Sequence, residues 1–219
     1  MGNDSHMAPT NLSPVPLRTS PGRRLPQLFT GLVIYGFSTG LQIEAALGLS
    51  PWDVLHEALH KTTGLSFGTV TALTSLLVLL CWIPIRQRPG VGTIANVLLV
   101  STSIDLTLWL VPAPEAMATR IVLMVVAVGL NGLATAAYIG VRLGPGPRDG
   151  LMTGVSAKTG YSIRWVRTGI EVIVLATGWL LGGTVGVGTL LYALAIGPLA
   201  QAFLPFVTWR PQAEAKIGH

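Results

Sequence analysis

Gly48-Leu49-Ser50-Pro51-Trp52-Asp53-Val54-Leu55 returns later in the chain as Gly144-Pro145-Gly146-Pro147-Arg148-Asp149-Gly150-Leu151. The offset is 96 residues (149 − 53 = 96). It is kept by Thr63-Gly64-Leu65-Ser66 against Thr159-Gly160-Tyr161-Ser162, and by Gly90-Val91-Gly92-Thr93 against Gly186-Val187-Gly188-Thr189. Gly36/Gly132 and Leu98/Leu194 extend it at both ends. A period this long is not a solenoid unit. It marks two halves of one fold.

Both halves are apolar. Half of the residues are hydrophobic, 11% are charged and mean hydropathy is +0.61. A soluble domain carries about a quarter charged residues. Crossing the hydrocarbon core takes about 20 apolar residues, and six segments qualify: 27–47, 66–85, 91–111, 119–141, 162–181 and 188–207. Three fall in each half. Segments 51–63 and 147–159 are too short to cross. Each begins with Pro at the first helical position (Pro51, Pro147) and stops at Gly64 or Gly160, a helix start and a helix stop. They read as short helices, interfacial or re-entrant. Gly92 and Gly188 belong to turns at the mouths of the third and sixth segments, where a missing Cβ allows close backbone approach.

The expected fold class is therefore an all-α polytopic membrane protein, with six transmembrane helices as a 3+3 repeat and two short helices. Residues 1–24, rich in Pro, Ser, Thr and Asn, read as a disordered cytoplasmic tail. The first membrane repeat covers 25–112, the second 118–208, and 209–219 forms a second cytoplasmic tail. The first apolar segment is long and lacks a small-x-small exit, so it is not read as a cleaved leader.

Orientation follows from the positive residues. With the N-terminus inside, twelve of the fourteen Lys and Arg fall on the cytoplasmic side, and only Lys61 and Arg120 fall outside. Cytoplasmic loops carry this excess, so both termini are expected inside. The net charge of +5 then reads as a topology signal, not as a nucleic-acid surface. An odd number of crossings per half turns the second repeat over relative to the first, the inverted-repeat arrangement of many secondary transporters.

Charged residues at depth are the candidate site. A carboxylate at the bilayer centre costs about 2.5–3.5 kcal/mol on insertion scales and normally faces the bundle interior. Glu44, Asp105 and Glu171 lie within apolar segments. Arg167 and Glu171 are spaced to pair along one helix face, with Arg164 a turn earlier. Asp53 and Asp149 stand at the third position of the short helices, where a carboxylate reaches back to the cap amide and suits the positive end of the helix dipole. Asp53, Asp149, Arg164, Arg167 and Glu171 are placed around a pathway, with Asp105 and Glu44 as proton or gating groups. The ordinary alternatives are helix capping for the aspartates and a structural ion pair for Arg167 and Glu171. Asn96 and Asn131, also within segments, read as interhelical glue.

His56-Glu57-Ala58-Leu59-His60 fits H-E-x-x-H, which on a helix sets two imidazoles for zinc and a Glu as base. The helix is amphipathic, with Trp52, Leu55, Ala58 and Leu59 on one face and Asp53, His56, Glu57, His60 and Lys61 on the other. A solvated polar face accounts for these residues without a metal. The lone Cys81 allows no disulfide and no Cys cluster. No metal site, no cofactor and no enzymatic activity are expected.

Ser50-Pro51-Trp52-Asp53-Val54-Leu55, Arg86-Gln87-Arg88-Pro89-Gly90-Val91-Gly92-Thr93, Gly146-Pro147-Arg148-Asp149-Gly150-Leu151-Met152-Thr153 and Ser162-Ile163-Arg164-x-Val166-Arg167-Thr168-x-Ile170-Glu171 resemble the YczE-type bacterial membrane proteins, related to the YitT and YyaS groups. The resemblance spans residues 27–207. It implies a polytopic helical protein of the bacterial cytoplasmic (inner) membrane, and it supplies no activity or substrate. The expected function is a secondary transporter or exporter of a small polar or anionic solute, with the lipid bilayer as the other partner. The alternatives are a non-transporting accessory or assembly protein and an intramembrane zinc hydrolase. The oligomeric state and the solute are not written in the sequence.

Overall fold

The structure, a computed structural model, describes residues 15–209. They form the helices α1 (Pro21–Ala45), α2 (Pro51–Thr63), α3 (Phe67–Leu80) continued by the short α4 (Trp82–Ile85), α5 (Val91–Leu110), α6 (Met117–Gly140), α7 (Pro147–Thr159), α8 (Ile163–Leu180) and α9 (Val187–Val207). The sequence repeat reappears in the helix starts. α1 and α6, α2 and α7, α3 and α8, and α5 and α9 each begin 96 residues apart (117 − 21 = 96). The short helices start and stop as the sequence predicts. Pro51 and Pro147 open them, and Gly64 (φ 72°) and Gly160 (φ 77°) end them in the left-handed region that favours glycine.

The two long mates α1 and α6 lie side by side and antiparallel. A reciprocal pair of arginines fixes this. Arg24, fully buried at the start of α1, donates to the carbonyls of Val141 (2.9 Å) and Arg142 (3.1 Å) at the end of α6. Its mate Arg120, at the start of α6, donates to Ala45 (2.8 Å) and Ala46 (2.6 Å) at the end of α1. Each arginine satisfies carbonyls that a helix end leaves open. α1 packs on α5 and α6 on α9, helped by mate glycines. A Cβ on Gly36 would stand 2.6 Å from Ser103 Cβ, and one on Gly132 2.6 Å from Leu199 Cβ.

The short helices cross over. α2 packs on α8, and α7 on α3 and α4. The glycine turns lock the crossing. Gly92 N–H donates to Leu143 O (3.0 Å), and its mate Gly188 N–H donates to Leu47 O (2.8 Å). The core between the halves holds Leu28, Leu32, Val54, Phe67, Ile104 and Val141. One contact breaks the pattern. α3 packs along α5, but α8 makes no comparable contact with α9.

Among the described residues, four helices are long and apolar enough to cross a membrane: Phe67–Ile85, Val91–Leu110, Met117–Gly140 and Val187–Val207. The sequence expectation was six. α1 and α8 fall short because they are more polar. α8 carries Arg164, Arg167 and Glu171, and α1 carries Gln27, Gln42 and Glu44. Large apolar side chains face outward along these helices, Val187 and Phe206 being more than 80% exposed, as lipid-facing surface requires.

The tail expected over 1–24 begins outside the described residues, but 15–24 contradicts it. Val15 N–H donates to Arg142 O (2.9 Å), α1 already starts at Pro21, and Arg24 draws in the carbonyls of Val15, Pro16 and Thr19. At the other end Trp209 is buried, bonds Gly140 O and lies under Arg24, 4.8 Å from guanidinium carbon to ring centroid. Residues 210–219 lie outside the described residues.

Candidate functional site: a polar chamber between the halves

The site is assembled by the starts of the two short helices. At α2, Ser50 accepts the Asp53 N–H (3.3 Å) and donates its hydroxyl to Asp53 Oδ2 (2.5 Å). The expected reach from Asp53 to the cap amide is replaced by this hydroxyl bond. Asp53 is 5% exposed, and its Oδ1 faces His56 Nδ1 at 3.2 Å and an Arg148 nitrogen at 3.6 Å. The Arg148 guanidinium lies over the Trp52 ring, 5.1 Å from its centroid, within cation–π range. Trp52 and Arg148 are repeat mates, so equivalent positions meet face to face at the junction of the halves. Asp149, the mate of Asp53, accepts the Tyr138 hydroxyl through Oδ2.

Around this junction lies a chamber of about 240 Å³, walled by Tyr35, Tyr138, Tyr192, Arg148, Asp149 and Arg167. Thr71, Ser75, Asn96 and Gln201 add uncharged polar groups. A wider vestibule of about 1120 Å³ adjoins it. Ile139, Asp149, Arg167 and Gln201 belong to both walls. Arg88, Arg142, Arg164 and Arg167 line the vestibule together with the carboxylate of Asp149, over an apolar bed that includes Leu143, Met152 and Ile163. Arg167 donates to Glu171 Oε1 at 2.9 Å, the i,i+4 pair that the sequence predicts.

Of the sequence candidates, Asp149, Arg164 and Arg167 line the cavities, Glu171 holds Arg167, and Asp53 lies sealed behind Arg148. Asp105 lies elsewhere. It ties α5 to the beginning of α3, accepting the Ser66 hydroxyl (2.6 Å) and the Gly68 N–H (2.7 Å). Glu44 is half-buried near the end of α1, off both cavity walls.

The polar face expected on α2 divides. Asp53 and His56 are buried, and His56 meets Thr71 (Nδ1, 3.2 Å) and Thr74 (Nε2, 2.8 Å) of α3. Glu57 accepts the Thr184 N–H (2.5 Å) and hydroxyl (3.0 Å), and His60 Nδ1 contacts Leu65 O (2.6 Å). The three side chains of the H-E-x-x-H pattern therefore serve three separate contacts. No group of three His, Cys, Asp or Glu is placed to hold a metal among the described residues.

The three tyrosines escaped sequence reasoning. Their mates carried the signal. Tyr35 matches Asn131, Tyr138 matches Gln42 and Tyr192 matches Asn96, so each position is polar inside an apolar segment in both halves. Asn131 behaves as the expected glue, accepting the Tyr192 hydroxyl (3.2 Å) and donating to Ser38 Oγ (2.8 Å). Asn96 faces the chamber instead.

Comparison with known proteins agrees with this reading of a membrane chain. The profile of the family described as "Family of unknown function (DUF6198)" matches residues 22–205. An uncharacterized protein of Haemophilus influenzae is 35% identical over 202 residues, covering 92% of this chain and 93% of that one. The uncharacterized membrane protein YczE of Bacillus subtilis is 35% identical over 179 residues, 81% of this chain and 83% of its own. The uncharacterized protein YyaS of Bacillus subtilis is 28% identical over 181 residues, covering 81% and 90% respectively. No solved structure matches.

Proposed function

The chain belongs to the DUF6198 family and is similar to a membrane protein, and on that premise we propose that it is a secondary transporter or exporter of a small polar or anionic solute, not an enzyme. The observation that carries this reading is the joined pair of cavities. An arginine-lined vestibule shares a wall, including Asp149 and Arg167, with a polar chamber at the junction of two repeats. Such junctions hold the substrate in many transporter folds. The chamber is smaller than the usual 300–1,000 Å³ of drug-sized ligand pockets, which suits a compact solute.

In this reading α1 and α8 also cross, giving six spans. α1 has 25 residues and α8 has 18, about 37 Å and about 27 Å of helix. The polarity that sets α8 apart is then explained, because Arg167 and Glu171 serve the pathway. The antiparallel packing of the mates α1 and α6 supports the inverted 3+3 arrangement. The excess of positive residues at the vestibule end supports a cytoplasmic placement of that end, with both termini on the inner side of a bacterial inner membrane. Arginines at this mouth would concentrate anions from the cytoplasm.

Flux of a panel of small inorganic and organic anions, with neutral and cationic solutes beside them, in reconstituted vesicles tests the proposal. One anion should move, and Arg167→Gln should stop it without loss of protein. Movement of none would count for the second reading, a membrane accessory protein, which the sealing of Asp53 behind Ser50, His56 and Arg148 favours.

A further inference from the structure

We propose that the chamber has a second route, closed in this structure, between α3 and α5, and that Asp105 is the latch that keeps it shut. The inference rests on the transporter reading and on the turned-over arrangement of the repeats. The open vestibule supplies the map. Its wall carries Arg164 and Arg167 of α8 and Gln201 of α9. Their mates are Gly68 and Thr71 of α3 and Asp105 of α5.

In the first half these three positions stand in a closed seam. Asp105 spans it, bound to Ser66 Oγ at 2.6 Å and Gly68 N at 2.7 Å. A Cβ at Gly68 would fall 2.2 Å from Ser101 O, so α3 and α5 touch through their backbones. Thr71, one turn further in, already reaches the chamber wall, as its mate Arg167 does. The seam thus runs from the chamber to the surface along the path that lies open in the other half.

A second clasp closes the same end. Glu57 binds the N–H and hydroxyl of Thr184 and pairs with Lys61 at 2.8 Å. Its position corresponds to Thr153 and that of Thr184 to Arg88, and both of those line the vestibule. Alternating access needs one end closed while the other is open, by movement of one repeat against the other. The outer route therefore opens when Asp105 releases Ser66 and Gly68 and α3 leaves α5. The inner route closes when α8 approaches α9. Arg164 stands where its mate is Gly68, so that closure brings a guanidinium, not a bare backbone, toward position 201.

The test uses single cysteines on a Cys81→Ser background and a membrane-impermeant maleimide. Phe67→Cys reports the outer seam, and Ile163→Cys reports the vestibule. Asp105→Ala should raise labelling of Phe67→Cys from outside intact cells by about tenfold, the response of a two-state gate whose balance has shifted. Protection as complete as with Asp105 present would overturn the latch. Should Asp105→Ala fail to insert, Gln201→Asp decides. It places the missing carboxylate on the wall that position 201 shares with Arg164, so labelling of Ile163→Cys in inside-out vesicles should fall, and unchanged labelling overturns the proposal. Reaction of Ile163→Cys from outside intact cells would instead strike at the turned-over repeats. Labelling needs no solute, so absent flux in vesicles tells against transport without touching the gate.

Discussion

The seam between α3 and α5 and the gap between α8 and α9 occupy equivalent places in the two halves, yet one is shut and the other lined by arginines. The difference traces to few residues. Gly68 lets α3 come down on the Ser101 carbonyl, and Asp105 clamps the contact. At the same positions the second half has Arg164 and Gln201, both exposed. The duplication kept what joins the halves (the glycine turns, the prolines, the reciprocal arginines) and varied what faces the path between them. Apart from Asp149, which keeps the aspartate of its mate and still lines both cavities, retained positions therefore read as framework, and diverged positions point to the pathway.

The comparison breaks most directly by exchange. Gly68→Arg puts the second half's residue into the closed seam, where a Cβ alone stands 2.2 Å from Ser101 O. Overpacking together with an added charge should cost about 3 kcal/mol or more, seen as loss of folded protein from the membrane. The reverse change, Arg164→Gly, should cost less than about 1 kcal/mol at its exposed site. Wild-type melting of Gly68→Arg in detergent would show the two halves to be equally loose.

The reciprocal arginines sharpen it next. Arg24 is fully buried and makes five bonds to carbonyls, whereas Arg120 is half-buried and makes two. Buried carbonyls left open are costly. Arg24→Ala should lose about 2–3 kcal/mol and Arg120→Ala about 1 kcal/mol, as read by thermal unfolding. Equal losses would mean that burial makes no difference between them.

Smaller effects should separate the two aspartates. Asp53→Asn removes a buried charge facing Arg148 but keeps an amide of the same shape against Ser50 and His56, and should cost about 1–2 kcal/mol of stability. Asp149→Asn keeps an acceptor for Tyr138 and should leave melting nearly unchanged while lowering flux. The opposite pattern would exchange their roles. Least of all, Glu57→Gln keeps an acceptor for Thr184 and loses only a pair with an exposed lysine, worth below about 1 kcal/mol. A larger loss would make the second clasp a structural centre of the fold.

Much of the architecture was legible because the repeat is written in turn chemistry. Pro51, Gly64, Gly92 and their mates fix helix ends locally, and helix ends need no knowledge of neighbours. The Arg167–Glu171 pair was legible for the same reason, since it lies within one helix. Asp105 and His56 were not, because their partners lie on other helices, as Ser66 and Gly68 do for one and Thr71 and Thr74 for the other. Helical periodicity assigned His56 to a solvated face, and the packing of α3 overrode it. Arg24 read as a cytoplasmic marker because an arginine outside an apolar segment usually is one. Its burial depends on the end of α6, more than a hundred residues away.

The bonds from Arg120 to Ala45 and Ala46 bear on biosynthesis. The carbonyls at the end of α1 stay without these donors until α6 has been made. The earlier half thus leaves the ribosome with a frayed terminus, and only arrival of the later half lets it settle. A nascent chain halted before residue 120 should be a ready target for membrane proteases.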